Sequence, residues 1–305
     1  MAAYMVKRII AAIVTIILIS TITFFLMYLV PGGPFLAEKS PSAQTMAALE
    51  KKYGLDKPLH IQYFNYMKNL LKGDLGLSMK LRGRTVNDII GTGFPVSARV
   101  GGIAVLVAVV VGITMGSLAA LNRGKWFDNL IMFMGTLGIA VPGFVVASTL
   151  MYYFGVVLNI LPTFGLSSPR HYVLPVVALA FYPTAYISRL TRSSMLDVLG
   201  QDYMNTARAK GLSQFKSLFK HALRNALLPV ITYLGPLLAY ILTGSFVVEK
   251  IFTIPGLGSQ FISSITDRDY PLIMGTTIFL ASLIIIMNVV VDIVYKIVDP
   301  RIKLK

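Results

Sequence analysis

Apolar residues along this chain are gathered into six long blocks without a charged residue, and polar segments separate the blocks. A helix needs about 20 apolar residues to cross the hydrocarbon core of a bilayer. The six blocks are Ile9–Val30, Val100–Leu121, Asn129–Pro169, Tyr172–Ser188, Asn225–Val248 and Pro271–Val291. The pattern therefore predicts an all-α integral membrane protein with six transmembrane helices, and five is the main alternative count.

Two of the blocks are irregular. The third is too long for one straight helix, and we predict a span from about Asn129 to Leu158 that Pro142 could bend, followed by an outer loop. The fourth block is short and contains two prolines. We expect its helix to continue past Arg189 and Arg192 into water.

The composition supports a membrane protein, because 55% of the 305 residues are hydrophobic, 13% are charged and the mean hydropathy is +0.72. Basic residues concentrate at the two ends and in the loop 189–224, while the short outer loops hold Arg170, Lys250 and Arg268. This distribution predicts that both termini are cytoplasmic, and it suits contact with anionic membrane lipid. The cations do not cluster with aromatic residues, which argues against a nucleic-acid partner.

The outer segment that follows the first block contains two predicted amphipathic helices. Apolar residues recur at helical spacing in Gln44–Tyr53 and in Pro58–Lys72, and the sequence Gly54–Pro58 breaks the pattern between them. We interpret this segment as a small cap without catalytic chemistry.

The motifs of common enzymes are missing from the sequence. It has no cysteine, no G-x-x-x-x-G-K-[ST] phosphate-binding loop and no G-x-S-x-G sequence. Its three histidines, His60, His171 and His221, fall in separate loops and cannot share a metal. We therefore expect a non-catalytic protein without a cofactor or metal of its own.

Charged residues lie only near the ends of the blocks, where we predict snorkelling or local pairing for residues such as Arg189 and Arg192. An ion-coupled carrier would need carboxylates near the middle of the membrane, which makes that function a weaker alternative. The spacing of Gly112 and Gly116 predicts close helix packing, either inside the subunit or at a subunit interface.

The basic loop 189–224 is much longer than a connector requires. Asp202 is placed to cap a helix over Tyr203–Lys210, Gly211 suits the left-handed position that ends a helix, and Ser213 can cap a second helix that runs toward Pro229. Two helices that meet at a glycine form a rigid corner, so we predict a docking surface for a soluble cytoplasmic partner. We call Asp202–Ser213 the docking segment. A solvated basic loop against lipid head groups is the alternative.

The residues Thr206–Leu212, followed by His221–Pro229, resemble the EAA loop of bacterial ATP-binding-cassette (ABC) importer permeases. Thr206 stands where that motif has its glutamate. Nearly the whole chain resembles the B-type permease subunit of the peptide-transport branch. The supporting sequences are Pro31–Pro34, Tyr53–Leu59, Gly73–Gly76, Ile251–Gly258, Arg268–Tyr270, Asp292–Tyr295 and Asp299–Lys303.

The resemblance implies the type I ABC importer permease fold with a cytoplasmic coupling helix, in the bacterial cell (inner) membrane. It implies an N-terminal transmembrane helix at 1–30, an extracytoplasmic segment at 31–92, a permease domain at 93–296 with a coupling loop at 189–226, and a cytoplasmic tail at 297–305. The residues it assigns to ATPase docking are Asp202, Tyr203, Thr206, Ala207, Arg208, Ala209, Lys210, Gly211, Leu212 and Ser213.

The implied partners are a homologous second permease, two cytoplasmic ATPases that bind ATP and Mg, and an extracytoplasmic peptide-binding protein. The implied function is half of the translocation pathway for oligopeptides. Dipeptides, nickel chelates or another small solute stay open as cargo, and a membrane scaffold without transport is a further alternative. The residues that line the pathway are not identified by the sequence.

Overall fold

The computed structural model describes residues 2–29, 33–35, 42–202, 204, 222–242 and 246–298, and within these ranges the chain is helical with no β-strand. A π-helical stretch, Met151–Val157, directly follows the sixth α-helix. The α-helices are α1 (Ala2–Leu29), α2 (Ala43–Tyr53), α3 (Leu59–Leu71), α4 (Val86–Leu121), α5 (Trp126–Ala140), α6 (Gly143–Leu150), α7 (Arg170–Leu199), α8 (Leu223–Ala226), α9 (Leu228–Leu242), α10 (Phe246–Ile251), α11 (Leu257–Asp267) and α12 (Tyr270–Val298).

Four of the described helices are long and apolar enough to cross a membrane, and the pair formed by α5 and Gly143–Val157 raises the count to five if it is one span. The six predicted spans are therefore not confirmed. Within the block Asn225–Val248 the structure describes α9, Leu228–Leu242, and the start of α10, and residues 243–245 between them lie outside the described part.

The two irregular blocks behave differently. The helix α7 runs unbroken from Arg170 to Leu199, which confirms its predicted extension past Arg189 and Arg192. The third block is broken after Ala140, and the two halves meet at an angle of 103°. Pro142 has no N–H and forces the residue before it, Val141, into an extended conformation, so the predicted bend is confirmed.

The helix α4 begins well before the apolar block Val100–Leu121, and its first turn lies in the segment assigned to the outer cap. Thr85 and Asp88 explain this start. The Asp88 backbone N–H donates to the Thr85 hydroxyl at 3.0 Å, and the Asp88 carboxylate accepts from the Thr85 N–H at 3.3 Å. This reciprocal pair is a capping box, which fixes a helix start independently of hydropathy.

The chain divides into two compact units, residues 1–95 with 255–285, and residues 96–254 with 286–305. In the first unit, α2 and α3 confirm the two predicted amphipathic helices, and Gly54 ends α2 with a φ of 68°. Phe24 of α1 is buried among aromatic side chains of the same unit. Its ring neighbours include Phe25, Tyr28, Tyr63 and Tyr66.

A buried carboxylate organises one side of the first unit. Asp269 is 1% exposed, and it accepts hydrogen bonds from the Ser78 hydroxyl and from the Met79 and Lys80 N–H groups. The Tyr53 hydroxyl donates to the Ser78 carbonyl at 3.1 Å. Burial, together with the nearby Asp269 charge, raises the pKa of Tyr53. The region Glu249–Tyr270, which contains the two predicted outer-loop cations Lys250 and Arg268, mostly forms helices α10 and α11.

The second unit has a core of small and branched residues that joins α4, α7 and α9. A Cβ atom on Gly116 would overlap the Ser188 carbonyl oxygen and lie 2.7 Å from the Thr191 Cβ, both on α7. Gly112 makes a similar approach to Ile187. The predicted close packing is confirmed, and these glycines form it with another helix of the same chain.

Candidate functional site

The docking segment is described only at its beginning. Asp202 is exposed and helical, and Met204 donates its backbone N–H to the Gln201 carbonyl at 3.0 Å. The other predicted docking residues lie outside the described residues, so the helix cap and the glycine corner stay predictions. These residues are Tyr203, Thr206, Ala207, Arg208, Ala209, Lys210, Gly211, Leu212 and Ser213.

The described residues on both sides of the docking segment are packed together. Met204, which lies within it, and Ala222, which follows it, are fully buried in one apolar cluster with Ala120 of α4, Met195 of α7 and Ala226 of α8. Met204 and Ala222, which precede and follow residues 205–221, therefore meet in one buried cluster. A force on the docking segment would be applied to this cluster. The sequence showed the apolar residues, but it did not show that they meet.

An ion pair lies in the same unit, between the first turn of α5 and the C-terminal half of α7. The Arg192 guanidinium donates from Nε to Asp128 Oδ1 at 2.5 Å and from Nη2 to Oδ2 at 2.7 Å. The Gly124 N–H donates to Oδ2 at 3.0 Å. Asp128 is 1% exposed and the Arg192 side chain 26% exposed, so the carboxylate is enclosed and its partner reaches the surface.

Local pairing of Arg192 was predicted and is confirmed, but its partner was missed. Asp128 is 64 residues away in sequence and directly precedes an uncharged block, so the hydropathy pattern did not indicate it as a partner. One signal pointed to it. An acidic residue in the first turn of an apolar helix is stabilised by the helix dipole, and a buried carboxylate there requires a partner.

The bend between α5 and α6 forms one wall of a large cleft within the second unit. Its volume is about 760 Å³. The described lining residues include no charged side chain, and the tyrosines among them come from α7 and α9. The lining residues are Ile139, Ala140, Val141, Pro142, Gly143, Phe144, Ala178, Leu179, Tyr182, Pro183, Tyr233, Pro236, Leu237, Tyr240, Ile241, Val247 and Val248.

The aromatic groups give this cleft both apolar surface and hydroxyl groups. The rings of Tyr186 and Tyr233 are 4.3 Å apart, and the Tyr182 ring stacks beside Tyr186 at 6.3 Å. Tyr240 is 74% exposed. Such a lining can contact the backbone and the side chains of a ligand without selecting it by charge. Hydropathy does not indicate this site, because its walls come from five separate helices.

No three histidine or acidic residues come together as a metal site in the part of the chain that the structure describes. His60 is exposed, and His171 is hydrogen-bonded to the hydroxyls of Ser167 and Ser168. His221 lies outside the described residues. The described geometry therefore supplies a cleft, an ion pair and an anchored segment.

Two family models match the chain. The model for the binding-protein-dependent transport system inner membrane component matches residues 112–304, and the model for the N-terminal part of such membrane components matches residues 1–113. The dipeptide transport system permease protein DppB of Bacillus subtilis is 51% identical over 304 residues, which cover 100% of this chain and 99% of that protein. The oligopeptide transport system permease protein OppB of Haemophilus influenzae is 44% identical over 305 residues, 99% of this chain and 100% of that protein.

Solved structures of more distant proteins have a similar fold. A structure of the MetNI methionine ABC transporter in an inward-facing conformation matches with a TM-score of 0.56 and 15% identity, over 69% of this chain and 96% of the matched chain. A structure of an amino acid ABC transporter with histidines matches with a TM-score of 0.51 and 19% identity, over 71% of this chain and 95% of the matched chain. At these identities the likeness concerns the fold alone.

Proposed function

Because the chain belongs to the family of binding-protein-dependent transport system inner membrane components and is a permease subunit of an ABC importer, we propose that its cargo is peptides. The observation that carries the proposal is 51% identity along the whole chain to a dipeptide permease. The relatives named for oligopeptide transport are 40 to 44% identical. We expect import of short peptides, with oligopeptides included.

The proposed transporter contains this chain, a homologous second permease, two cytoplasmic ATPases and an extracytoplasmic peptide-binding protein. The ATPases hold ATP and Mg and supply the hydrolysis. This chain supplies a non-catalytic share of the translocation pathway in the bacterial inner membrane, with both termini in the cytoplasm. The matches to models of binding-protein-dependent membrane components support these partners.

We assign ATPase docking to Asp202–Ser213. The support is the long basic loop in the sequence and the apolar cluster that anchors the segment through Met204. In the proposed mechanism, closure of the ATPase pair moves the docking segment, the anchored cluster and α7 together. The tyrosine-lined cleft, which α7 also lines, then changes its opening.

We assign part of the peptide pathway to the cleft with Tyr182, Tyr233 and Tyr240. An uncharged aromatic lining suits cargo whose side chains vary, because contacts to rings and hydroxyls depend little on side-chain charge. Selection among peptides would then fall to the binding protein.

The function is tested by reconstituting the four-component transporter with its binding protein in proteoliposomes. Uptake of radiolabelled di-, tri- and pentapeptides should require ATP and cease when either ATPase is omitted. Uptake driven by a proton gradient without ATP would contradict the function and support an ion-coupled carrier. Uptake of peptides of one length only would show that the cargo is limited to that length.

The docking assignment is tested by Gly211→Pro. Proline fixes φ near −65° and cannot take the predicted left-handed conformation, so we expect normal abundance in the membrane with uptake abolished. Uptake equal to wild type at equal abundance would refute the assignment.

The orientation is tested in this cysteine-free chain by single cysteines. A membrane-impermeant thiol reagent should label Gln44→Cys and Ser168→Cys in intact cells and should not label Ser213→Cys. Labelling at position 213 would refute the cytoplasmic placement of the docking segment.

A further inference from the structure

We propose that Asp128 and Arg192 are positioning residues for energy coupling, and that their ion pair makes α5 and α7 move as one body. This inference rests on the proposed function. A displacement that enters α7 from the docking segment would then reach the cleft wall at Ile139–Phe144 through α5 as well as through α7 itself. The contacts that carry the proposal all lie within the second unit.

The geometry of the pair fixes orientation as well as distance. Two parallel N–H···O bonds join the planar guanidinium of Arg192 to both oxygens of Asp128. A bidentate pair of this kind resists rotation, which a single contact does not. The Gly124 N–H adds a third bond to the same carboxylate. One buried group therefore holds α5, α7 and the turn between α4 and α5 together.

The helix α7 needs this support because it contains a proline between the docking segment and part of the cleft. Pro183 cannot donate to the carbonyl of Leu179, so the helix is weakened at that turn. Arg192 and Met195 lie on the docking side of Pro183, while Ala178 and Leu179 line the cleft on the other side. A push along α7 alone could be absorbed as bending at Pro183.

The helix α5 spans that weak turn and has no proline of its own between Trp126 and Ala140. One end is joined to α7 by the ion pair. Further along, a Cβ on Gly138 would lie 2.5 Å from the Ala185 Cβ, and Phe181 also borders this glycine. Contact on both sides of Pro183 lets α5 keep the two parts of α7 aligned. The next residues of α5, Ile139 and Ala140, already line the cleft.

The chain offers a matched control in Arg189, which lies one turn from Arg192 on α7 and is exposed. Its side-chain carbons lie close to Gly135, while its charge is not part of the bidentate pair. Arg189→Gln removes the same charge from the same helix. The Asp128–Arg192 pair itself is removed in Arg192→Gln, in Asp128→Asn and in the double variant.

The experiment measures ATP hydrolysis and peptide uptake by the complete transporter in proteoliposomes. We expect Arg192→Gln and Asp128→Asn to lower the number of peptides transported per ATP by roughly 3- to 10-fold, with hydrolysis retained. The double variant should lose no more than either single variant, because all three lose the same contact. Arg189→Gln should match wild type. The proposal would be overturned if Arg192→Gln transported as many peptides per ATP as wild type, or if Arg189→Gln lowered that number as much as Arg192→Gln.

A second readout does not depend on peptide transport. Spin labels on cysteines at Thr136 of α5 and Ser193 of α7, both exposed, should give one narrow distance with and without ATP. The same distance should broaden or shift in the Arg192→Gln background, and an unchanged distribution there would overturn the proposal. Failure of the wild-type complex to import peptides would refute the proposed function. The distances between the spin labels would still show whether the Asp128–Arg192 pair joins the two helices.

Discussion

The helix α7 and the broken pair α5–α6 both contain proline within an apolar block, yet one is continuous and the other turns by 103°. The two prolines of α7, Pro175 and Pro183, are buried among other helices. Pro142, by contrast, is exposed, as are Gly143 and Phe144 after it. Proline removes one backbone hydrogen bond in either place. Packing on the flanking turns determines whether the helix continues or breaks.

The difference has a functional meaning in the proposed transporter. A continuous helix that leads into the docking segment can carry displacement when α5 supports it across Pro183, and a broken helix at the cleft can change the opening of the cleft with little loss of packing. The ion pair and the glycine contacts connect the broken pair to the continuous helix. Four sets of substitutions test this comparison, from the largest expected effect to the smallest.

The largest effect is expected from separating α5 from α7 at the ion pair. Arg192→Ala leaves the enclosed Asp128 carboxylate without its main partner, and removing one partner of a buried pair typically costs about 3–5 kcal/mol. Asp128→Ala should cost less, because Arg192 is partly exposed and can reach solvent. The check is the thermal midpoint of the detergent-solubilised complex, which should fall further for Arg192→Ala. A larger fall in the thermal midpoint for Asp128→Ala than for Arg192→Ala would contradict the burial of the Asp128 carboxylate.

The next effect is expected where α4 supports α7. Gly116→Leu would place carbon atoms against the Ser188 carbonyl and Thr191, and overpacking of this kind typically costs about 1–3 kcal/mol. Gly102→Leu on the same helix is the matched control, because no atom of the described residues lies within 4 Å of a Cβ added there. We expect reduced abundance and a lower thermal midpoint for Gly116→Leu alone. Equal effects would show that α7 is not held by this contact.

A smaller effect on stability, but a clear one on geometry, is expected at the bend. Pro142→Ala restores an N–H and frees Val141 from its restriction, so the α5–α6 junction can become more helical. We expect a longer distance between spin labels at Thr136 and Ser148, and reduced uptake. Pro183→Ala should leave the direction of the α7 helix axis unchanged. A bend that persists in Pro142→Ala would show that packing, rather than proline, fixes it.

The smallest effect on stability is expected at the cleft surface. Tyr240→Ala removes a ring that is 74% exposed, so the thermal midpoint should hardly move and the free energy of unfolding should change by no more than about 0.5 kcal/mol. Peptide uptake should fall, because the ring lines the proposed pathway. Uptake equal to wild type would show that Tyr240 does not contribute to that pathway.

Much of the fold follows from local sequence. The hydropathy pattern located the long apolar helices, the outer amphipathic pair and the continuation of α7. The count of six spans was not confirmed, since the described residues contain four helices long and apolar enough to cross a membrane, or five spans if the bent pair is one. Hydropathy reports which residues tolerate lipid or a protein core, but it does not show whether an apolar block forms one straight helix or, like the third block, a bent pair.

The candidate site was only partly accessible from the sequence. The docking segment could be proposed from the sequence, because the residues of its motif are consecutive, and its role stays a prediction. The pair of Asp128 and Arg192 could not be assigned, because its partners lie 64 residues apart. The cleft was equally hidden, since its tyrosines lie on different helices and carry no shared spacing.

The sequence by itself determined the family, the membrane class, most of the apolar helices and the proline at which the third block breaks. These properties depend on composition, on consecutive motifs and on the backbone restrictions of single residues. Only the tertiary structure decided which carboxylate pairs with Arg192, that Met204 and Ala222 share one cluster, and that Pro183 stays inside a helix while Pro142 does not. Those outcomes depend on which helices come into contact, and contact between distant segments is set by the packing of the whole unit.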